Sequence, residues 1–292
     1  MAVATGFESF VTEQVPLASR TWLGIGGPAE LLATPTTLDE LVALVKWCSQ
    51  EGKQVRVLGG GSNLLVRDAG TQGVVLLLSA PCFCGVEVNG TQVKVGGGAT
   101  LAEAITLSVG AGLAGLDALV GIPGAIGGAL HCNSGSQGGD IGQWVQQVTL
   151  LARDGEVITR SRGEMVFGYR ESSLDELAII DATFALDEDD PERLTKRMQK
   201  QWIVKKGSQP LIDQRTACAF KNPRGMSAGS LIDQAGLKGT AVGAAEVSEK
   251  HGNFIVAKQG ATSDDVLKLI DQVRSRVAER LGVELETALE IW

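Results

Sequence analysis

The 292-residue chain lacks several features that mark whole classes of proteins. It has no apolar run near the ~20 residues that a membrane-spanning helix needs. Its first residues carry neither the basic nor the apolar segment of a secretory signal, so we expect a cytoplasmic protein. It has no long basic block, and its net charge is −8, which argues against a nucleic-acid partner. Neither a membrane nor an obligate protein partner is indicated.

Cysteine and histidine are also scarce. The five cysteines are odd in number and form no C-x-x-C pair, which argues against a disulfide framework or a zinc site and fits a reducing compartment. The two histidines, His131 and His251, lie far apart in the sequence. We therefore predict structural roles for both histidines and no metal site.

Glycine, in contrast, is abundant, with 38 residues, about twice the usual share. The glycines cluster in short runs beside apolar strands. Because glycine lacks a Cβ atom and readily adopts positive φ, such runs are typical of backbone that approaches a ligand closely. We interpret the longest runs as candidate ligand-binding loops.

Helix and strand patterns alternate through the N-terminal half. Thr37 precedes a glutamate by three residues, which predicts a capped helix start, and Asn89-Gly90 predicts a β-hairpin. The polar segment 187–191 ends in Pro191 and predicts a domain boundary followed by a helix. A last helix is predicted to begin at the cap Thr262, and residues 283–292 are predicted to form a strand. The predicted fold is α+β, with domains at residues 1–188 and 189–292.

Two long glycine loops occur in the first predicted domain. The sequence from Gly59 to Asn63, GGGSN, follows a strand and offers the consecutive N–H groups that bind phosphate oxygens. It has neither the spacing of a Rossmann loop nor the G-K-[ST] of a P-loop. The second loop, GIPGAIGG from Gly121 to Gly128, is predicted to have no regular structure. Each loop alone is typical of a plain turn, but together they indicate a dinucleotide held between two lobes.

More motifs follow in a specific order. They include TWLGIGGPA from Thr21, YRES from Tyr169, CAFKNP from Cys218, AGSLIDQAGLKG from Ala228 and VSEKHGNF from Val247. With the two glycine loops, this series resembles the UDP-N-acetylenolpyruvoylglucosamine reductase (MurB) family over nearly the whole chain. The short connection between Arg170 and Cys218 is similar to the branch of the family that lacks an inserted substrate-capping loop.

The resemblance implies a two-lobed FAD-binding domain of the flavoprotein (PCMH/VAO-like) type, followed by an α+β substrate-binding domain. It implies noncovalent FAD as the cofactor, NADPH as the reductant and a UDP-sugar as the substrate. The implied reaction converts UDP-N-acetylglucosamine enolpyruvate to UDP-N-acetylmuramate in peptidoglycan precursor synthesis. Hydride addition to the enolpyruvyl group builds negative charge on its carboxylate, and the adjacent carbon must then receive a proton.

The resemblance also assigns candidate site residues. Arg170 matches the arginine that stabilises the carboxylate charge, and Cys218 matches the proton donor, which is serine in many members. A thiol has a reference pKa of ~8.5, so it holds its proton at neutral pH and can donate it. The residues that match cofactor contacts are Gly59, Gly60, Gly61, Ser62, Asn63, Leu64, Gly121, Ile122, Pro123, Gly124, Gly127, Gly128 and Asn133. Those that match substrate contacts are Asn222, Glu246 and a lysine, Lys205 or Lys206, of which we chose Lys206.

The chain departs from the family pattern at its C-terminal end. The family carries a catalytic glutamate in its terminal strand, and Ala288 stands at that position here. Either the chain is an impaired form or another carboxylate replaces the missing one. Glu290 is the nearest candidate, although residues two apart on a strand are separated by ~6.6–6.8 Å.

Two other functions stay open at this point. One is a different FAD-dependent oxidoreductase of the same superfamily, such as an oxidase of small alcohols. The C-terminal motifs argue against it, as does the lack of a Cys or His suited to covalent flavin attachment in either glycine loop. The other is a non-enzymatic nucleotide-binding module, which the alanine at position 288 would permit.

Overall fold

The computed structural model describes residues 6–136, 138–211 and 215–292. Contacts between residues divide the chain into two compact units, each built from separated segments. The first unit contains the chain up to Val15, Glu30–Gly60 and Gln72–Trp202, and the second contains Pro16–Ala29, Gly61–Thr71 and Ile203–Trp292.

The described residues form helices and many short strands. The helices are α1 (Leu38–Gln50), α2 (Pro81–Cys84), α3 (Leu101–Gly110), α4 (Ile126–His131), α5 (Pro191–Ser208), α6 (Ala228–Gln234) and α7 (Ser263–Leu281). The strands up to the middle of the chain are β1 (Val11–Pro16), β2 (Pro28–Ala33), β3 (Val55–Val57), β4 (Leu64–Leu65), β5 (Thr71–Leu76), β6 (Val86–Asn89), β7 (Gln92–Gly96), β8 (Leu113–Ala114), β9 (Gly135–Ser136) and β10 (Gly139–Asp140). The later strands are β11 (Val145–Leu151), β12 (Val157–Ser161), β13 (Phe167–Gly168), β14 (Glu171–Ser172), β15 (Ala178–Ala185), β16 (Asp187–Glu188), β17 (Thr216–Cys218), β18 (Ala241–Val242), β19 (Ala245–Val247), β20 (Phe254–Ala257) and β21 (Glu290–Ile291).

The first unit contains two sheets, each packed on its own hydrophobic core. The sheet in the order β1-β2-β5-β3 packs against α1 through a core that includes Leu41, Leu44 and Val74. The end residues of three of its strands are assigned to the second unit. The sheet in the order β12-β11-β15-β7-β6 packs against α3 and α4 through a core that includes Ile105 and Phe184. These two cores agree with the predicted two lobes.

Local sequence signals explain several of these elements. The Thr37 hydroxyl accepts the N–H of Glu40 at 3.2 Å and caps α1. Gly90 has φ +59° in the β6–β7 turn, as the Asn-Gly pair predicts. Thr262 and Asp265 form a reciprocal capping box at the start of α7. The predicted starts of α1 and α7 and the predicted hairpin are thus confirmed.

The second unit is built around one antiparallel sheet. Its strands run in the order β17-β20-β19-β18, and α6 and α7 contribute apolar side chains to the core beside it. The buried face of α7 carries Val266, Leu269, Ile270, Val273 and Val277, spaced at the helical period. Leu23, Ile25 and Leu65, from early in the sequence, belong to the same core.

The compact units differ from the predicted domains. Their division falls between Trp202 and Ile203, inside α5, and not at residue 188. The first half of α5 belongs to the first unit because Leu194 is fully buried in its core and Arg197 pairs with Asp117 at 2.6 Å. The second unit gains early segments because β4 pairs in parallel with β21, a contact between residues far apart in sequence.

Two predictions of local structure need correction. The loop 121–128 was predicted to be irregular throughout, but α4 begins at Ile126 and contains Gly127 and Gly128. The N–H groups of Ile126 and Gly127 donate to the carbonyls of Ala99 and Gly97. These bonds fix the first turn of α4 against residues 97–99, the segment that follows β7. The terminal strand is shorter than predicted: only Glu290–Ile291 pairs as a strand, and Thr287 forms an isolated bridge with Phe220.

Candidate active-site residues

The two glycine loops meet within the first unit. A Cβ atom at Gly60 would lie 2.7 Å from the Cα atom of Gly124 and 3.2 Å from the nitrogen of Ala125, which is too close for any side chain. Gly124 has φ +123°, a conformation that residues with a side chain rarely adopt. The absence of side chains at these positions therefore lets the two loops touch.

The same loops leave backbone exposed beside this contact. Gly59 and Gly128 are exposed, and a Cβ atom would find only the methyl of Ala125, at 3.7 Å, near Gly59 and nothing within 4 Å at Gly128. Bare backbone from two adjoining loops, one of them opening a helix, fits the diphosphate of a dinucleotide. These residues are thus compatible with the predicted FAD.

The other predicted cofactor residues differ in their surroundings. Gly61 must be glycine for packing reasons, because its Cβ atom would lie 2.1 Å from the carbonyl oxygen of Arg20, in the second unit. Leu64 is buried in β4, Ile122 packs against the core of the first unit, and Ser62 and Pro123 are half-buried. The cofactor contacts assigned to them stay predictions.

Asn133 holds the hairpin that carries Arg170. Its side-chain amide donates to the carbonyl of Gly168 at 2.7 Å and accepts the N–H of Gly142 at 3.1 Å. Asn133 is 4% exposed, so these contacts account for a buried polar side chain. The structure therefore gives Asn133 a supporting role in addition to the cofactor contact that we predicted.

Arg170 lies in the two-residue turn between β13 and β14. Its backbone has φ +62°, which is uncommon for a residue with a side chain, and its guanidinium carbon lies 5.7 Å from the ring centroid of Tyr169. Arg170 is half-buried, and Tyr169 is exposed. An unusual backbone conformation, held by Asn133 beneath it, presents the guanidinium at the tip of a short hairpin.

Cys218 ends β17 in the second unit, paired with Phe254 of β20. The side-chain amide of Asn253 donates to Cys218 Sγ at 3.2 Å and to the carbonyl of Phe220 at 2.7 Å. Its oxygen accepts the N–H of Phe220 at 3.0 Å. Asn253 was not among the predicted site residues, although its motif was noted. Only the fold shows that this residue reaches the thiol.

The C-terminal segment lies against the residues that follow Cys218. The N–H of Ala288 donates to the carbonyl of Ala219 at 2.8 Å, and the amide of Asn63 donates to the carbonyl of Ala288 at 3.0 Å. The N–H of Glu290 donates to the carbonyl of Asn63 at 3.0 Å, and the Glu290 side chain is exposed. Position 288 is therefore hydrogen-bonded to Ala219, the residue that follows the candidate proton donor, while the backbone of Glu290 is held in β21.

The predicted substrate-contact residues also belong to the second unit. Asn222 accepts the N–H of Ala228 at 3.0 Å and so supports the start of α6. Glu246 forms an ion pair with Lys258, and both line a cavity of about 330 Å³. Lys206 is exposed near the end of α5, and its carbonyl accepts a hydrogen bond from Lys250, another residue of the cavity wall. Lys250 and Lys258 were not predicted.

His251 lies just before β20, two residues from Asn253. Burial lowers the pKa of the imidazole, and the positive charge of Lys238 lowers it further. The Nδ1 atom accepts the N–H of Asn253 at 3.2 Å, and the ring packs edge-on against Phe254 with centroids 5.1 Å apart. A neutral, structural histidine agrees with the sequence prediction.

Within residues 6–136, 138–211 and 215–292, no helix is long and apolar enough to cross a membrane. The same ranges contain no group of three or more His, Cys, Asp or Glu that could hold a metal ion.

Comparison with known proteins gives consistent results. Residues 29–161 match the FAD binding domain family, and residues 209–292 match the family described as UDP-N-acetylenolpyruvoylglucosamine reductase, C-terminal domain. The enzyme of that name from Rhodopirellula baltica is 40% identical over 97% of this chain and 92% of its own length. UDP-N-acetylenolpyruvoylglucosamine reductase 2 from Symbiobacterium thermophilum is 41% identical over 95% of this chain and 90% of its own.

Solved structures extend the comparison to the fold. The crystal structure of the MurB reductase from Thermus caldophilus matches 97% of this chain and all of its own, with a TM-score of 0.84 and 40% identity. Cholesterol oxidase from B. sterolicum matches 64% of this chain and 40% of its own, with a TM-score of 0.50 and 18% identity. The second match concerns the fold alone, and the predicted fold class is confirmed.

Proposed function

Because this chain belongs to the UDP-N-acetylenolpyruvoylglucosamine reductase (MurB) family, we propose that it reduces UDP-N-acetylglucosamine enolpyruvate to UDP-N-acetylmuramate with NADPH. The observation that carries the proposal is the sequence identity of 40% with the reductase from Rhodopirellula baltica over 97% of the chain, which includes both the FAD-binding and the C-terminal parts. The protein is an FAD-dependent oxidoreductase. Bound FAD would supply a carrier that accepts a hydride from NADPH and delivers it to the substrate.

The glycine loops are proposed to hold that cofactor. Gly59, Gly60, Gly124 and Gly128 bring bare backbone together on one side of the first unit. Their N–H groups can bind phosphate oxygens without a positive side chain, which is consistent with a net charge of −8.

Arg170 is proposed to stabilise the charge that forms on the substrate carboxylate. A guanidinium keeps its positive charge at any working pH and offers several N–H donors in one plane, which suits a carboxylate. The turn that carries it is fixed through Asn133 and two short strands, so the backbone from which the guanidinium extends is held in place.

Cys218 is proposed to protonate the carbon next to that carboxylate. The thiol is half-buried at the end of β17, and Ala288 lies beside the same backbone segment. Position 288 carries the methyl group of alanine where the family has a carboxylate. A methyl group cannot exchange protons, so this position contributes no acid or base here. We also propose a cytoplasmic location, where NADPH serves biosynthetic reductions.

One set of measurements separates this function from the two alternatives. The purified protein should be yellow, should release FAD on acid treatment, and should oxidise NADPH faster when the enolpyruvyl substrate is added. Oxidation of NADPH that ignores this substrate would indicate a different flavoenzyme. A protein that binds nucleotide and oxidises no NADPH would be a binding module, and either result would overturn the proposal.

A further inference from the structure

We propose that Asn253 is a positioning residue for Cys218, which aims the thiol and stabilises the thiolate that remains after proton donation. That Cys218 donates its proton to a carbon of the substrate rests on the proposed function. The contact between the amide and the sulfur is a feature of the second unit alone and does not depend on it.

The orientation of the Asn253 amide is determined by its neighbours. The N–H of Phe220 can only donate, so the amide oxygen must face it, at 3.0 Å. The amide nitrogen therefore faces the other way, with one N–H directed to the carbonyl of Phe220 at 2.7 Å and one to Cys218 Sγ at 3.2 Å. Rotating the amide would place its oxygen against the carbonyl oxygen of Phe220 and its NH2 group against the N–H of Phe220, and both contacts are unfavourable.

The backbone of Asn253 is held as firmly as its side chain. Its carbonyl accepts the N–H of Ala219 at 2.9 Å, and its N–H donates to His251 Nδ1 at 3.2 Å. With 4% exposure, the residue is almost completely buried. One asparagine thus connects three consecutive residues, 218 to 220, and fixes where the sulfur lies relative to the sheet.

An N–H donor that points at sulfur favours the charged form of the thiol. When Cys218 donates, its S–H bond breaks, a C–H bond forms on the substrate, and the electron pair stays on sulfur. The amide nitrogen then faces a thiolate, and hydrogen bonds to charged groups are stronger than those to neutral ones. Solvent returns the proton to sulfur before the next turnover.

The titratable groups on the adjoining segments are not themselves altered by a substitution at Asn253. They are His251, which precedes β20, and the pair between Lys221 and Glu286, whose Nζ and Oε1 atoms lie 2.6 Å apart. A change in thiol reactivity in an Asn253 variant can therefore be assigned to the amide.

The test uses the holoenzyme and two variants, Asn253→Asp and Asn253→Ser. Aspartate keeps the oxygen that accepts from Phe220 and replaces the nitrogen that faces sulfur with a negatively charged oxygen. Serine introduces a hydroxyl that can donate a hydrogen bond in place of the amide. This variant provides the test if Asn253→Asp does not fold. The probe is iodoacetamide, with alkylation of Cys218 followed by peptide mass spectrometry across a pH series.

The proposal predicts that Asn253→Asp shifts the alkylation profile of Cys218 to higher pH and slows alkylation at pH ~8 by about 10-fold, the effect of losing a hydrogen bond to a charged group. Asn253→Ser should have a smaller effect in the same direction. The control is Val247→Ala, which opens the buried core of the same sheet without removing a hydrogen bond to Cys218. It should lower the melting temperature and leave the profile unchanged.

A kinetic measurement completes the test. Asn253→Asp should slow oxidation of the reduced enzyme by the enolpyruvyl substrate about 10-fold when Cys218 is present and should have no further effect in a Cys218→Ala background. An unchanged alkylation profile, or equal slowing in both backgrounds, would overturn the proposal. A shifted profile in an enzyme that never reduces this substrate, even with Ala288→Glu, would support the contact and contradict the proposed function.

Discussion

At the scale of single residues, the candidate proton donor is a cysteine held on several sides. The backbone of Cys218 is paired with Phe254 in the sheet, and its sulfur receives a hydrogen bond from the buried amide of Asn253. A thiol in such surroundings can transfer a proton with little rearrangement.

Replacing Cys218 should affect one half of the catalytic cycle. Cys218→Ala should leave reduction of the flavin by NADPH nearly unchanged, because that step needs no protonation of carbon. The step that reduces the substrate should slow by roughly 10²–10⁴-fold. Cys218→Ser, the matched control, retains a donor and should keep much more activity. Stopped-flow traces of the two half-reactions measure this, and equal rates in all three proteins would remove Cys218 from the mechanism.

A substitution at position 288 is predicted to increase activity, in contrast to the loss expected for Cys218→Ala. The backbone of Ala288 is fixed by hydrogen bonds to Ala219 and Asn63, and that of Glu290 is fixed in β21. We therefore expect that Glu290 does not reach the site and that Ala288→Glu accelerates substrate reduction by orders of magnitude, with little change in FAD binding.

The matched control for position 288 is Glu290→Gln, which should be neutral. If the unmodified chain already turns over quickly and Glu290→Gln disables it, Glu290 is the replacing carboxylate and our expectation is wrong. Rapid turnover that neither change alters would mean that no carboxylate is needed at that position.

At the scale of elements, the contact between the two glycine loops leaves no room for an added side chain. Gly60→Val and Gly124→Val should abolish the flavin spectrum, the first because its Cβ atom would lie 2.7 Å from the Cα atom of Gly124, the second also because of its φ of +123°. Gly163→Val, where a Cβ atom meets nothing within 4 Å, is the control and should stay yellow. Unchanged FAD content in both loop variants would show that these loops do not bind the cofactor.

The elements also show which signals a sequence carries. Caps and hairpin turns depend on residues close in the chain, so Thr37, Thr262 and Asn89-Gly90 sufficed to predict the elements they control. The start of α4 could not be predicted, because Gly127 is held by a carbonyl thirty residues earlier, at Gly97. The contact of Asn253 with Cys218 was missed for the same reason: residues 35 apart meet only once the strands pair.

At the scale of the whole molecule, each compact unit is assembled from segments that lie far apart in the sequence. The second unit includes Leu23 and Leu65, and β4 pairs with the last strand of the chain. Composition and helix-breaking residues such as Pro191 indicate where one series of helices and strands ends and the next begins. They do not reveal that an early segment completes a late core, which depends on long-range pairing.

The half-buried His251 is expected to make the stability of the second unit depend on pH. Its pKa is lowered in the folded protein, so as the pH falls through the ordinary histidine value of ~6.5 the unfolded chain gains a proton that the folded chain resists. Stability should thus decrease from pH ~7.5 to ~5.5, and His251→Gln, which keeps an acceptor for the Asn253 N–H, should reduce this decrease. Thermal midpoints of both proteins at the two pH values measure it, and an identical decrease in both would exclude His251 as a cause.

The central claim is that this chain reduces the enolpyruvyl group of a UDP-sugar. Its most direct test is a single-turnover experiment, in which protein reduced by one equivalent of NADPH without oxygen is mixed with UDP-N-acetylglucosamine enolpyruvate. Our account predicts that the reduced-flavin signal disappears, slowly in the unmodified chain and rapidly in Ala288→Glu, with one UDP-N-acetylmuramate formed per flavin by mass spectrometry. Reduced flavin that persists in both proteins and is oxidised only when oxygen is admitted would contradict it.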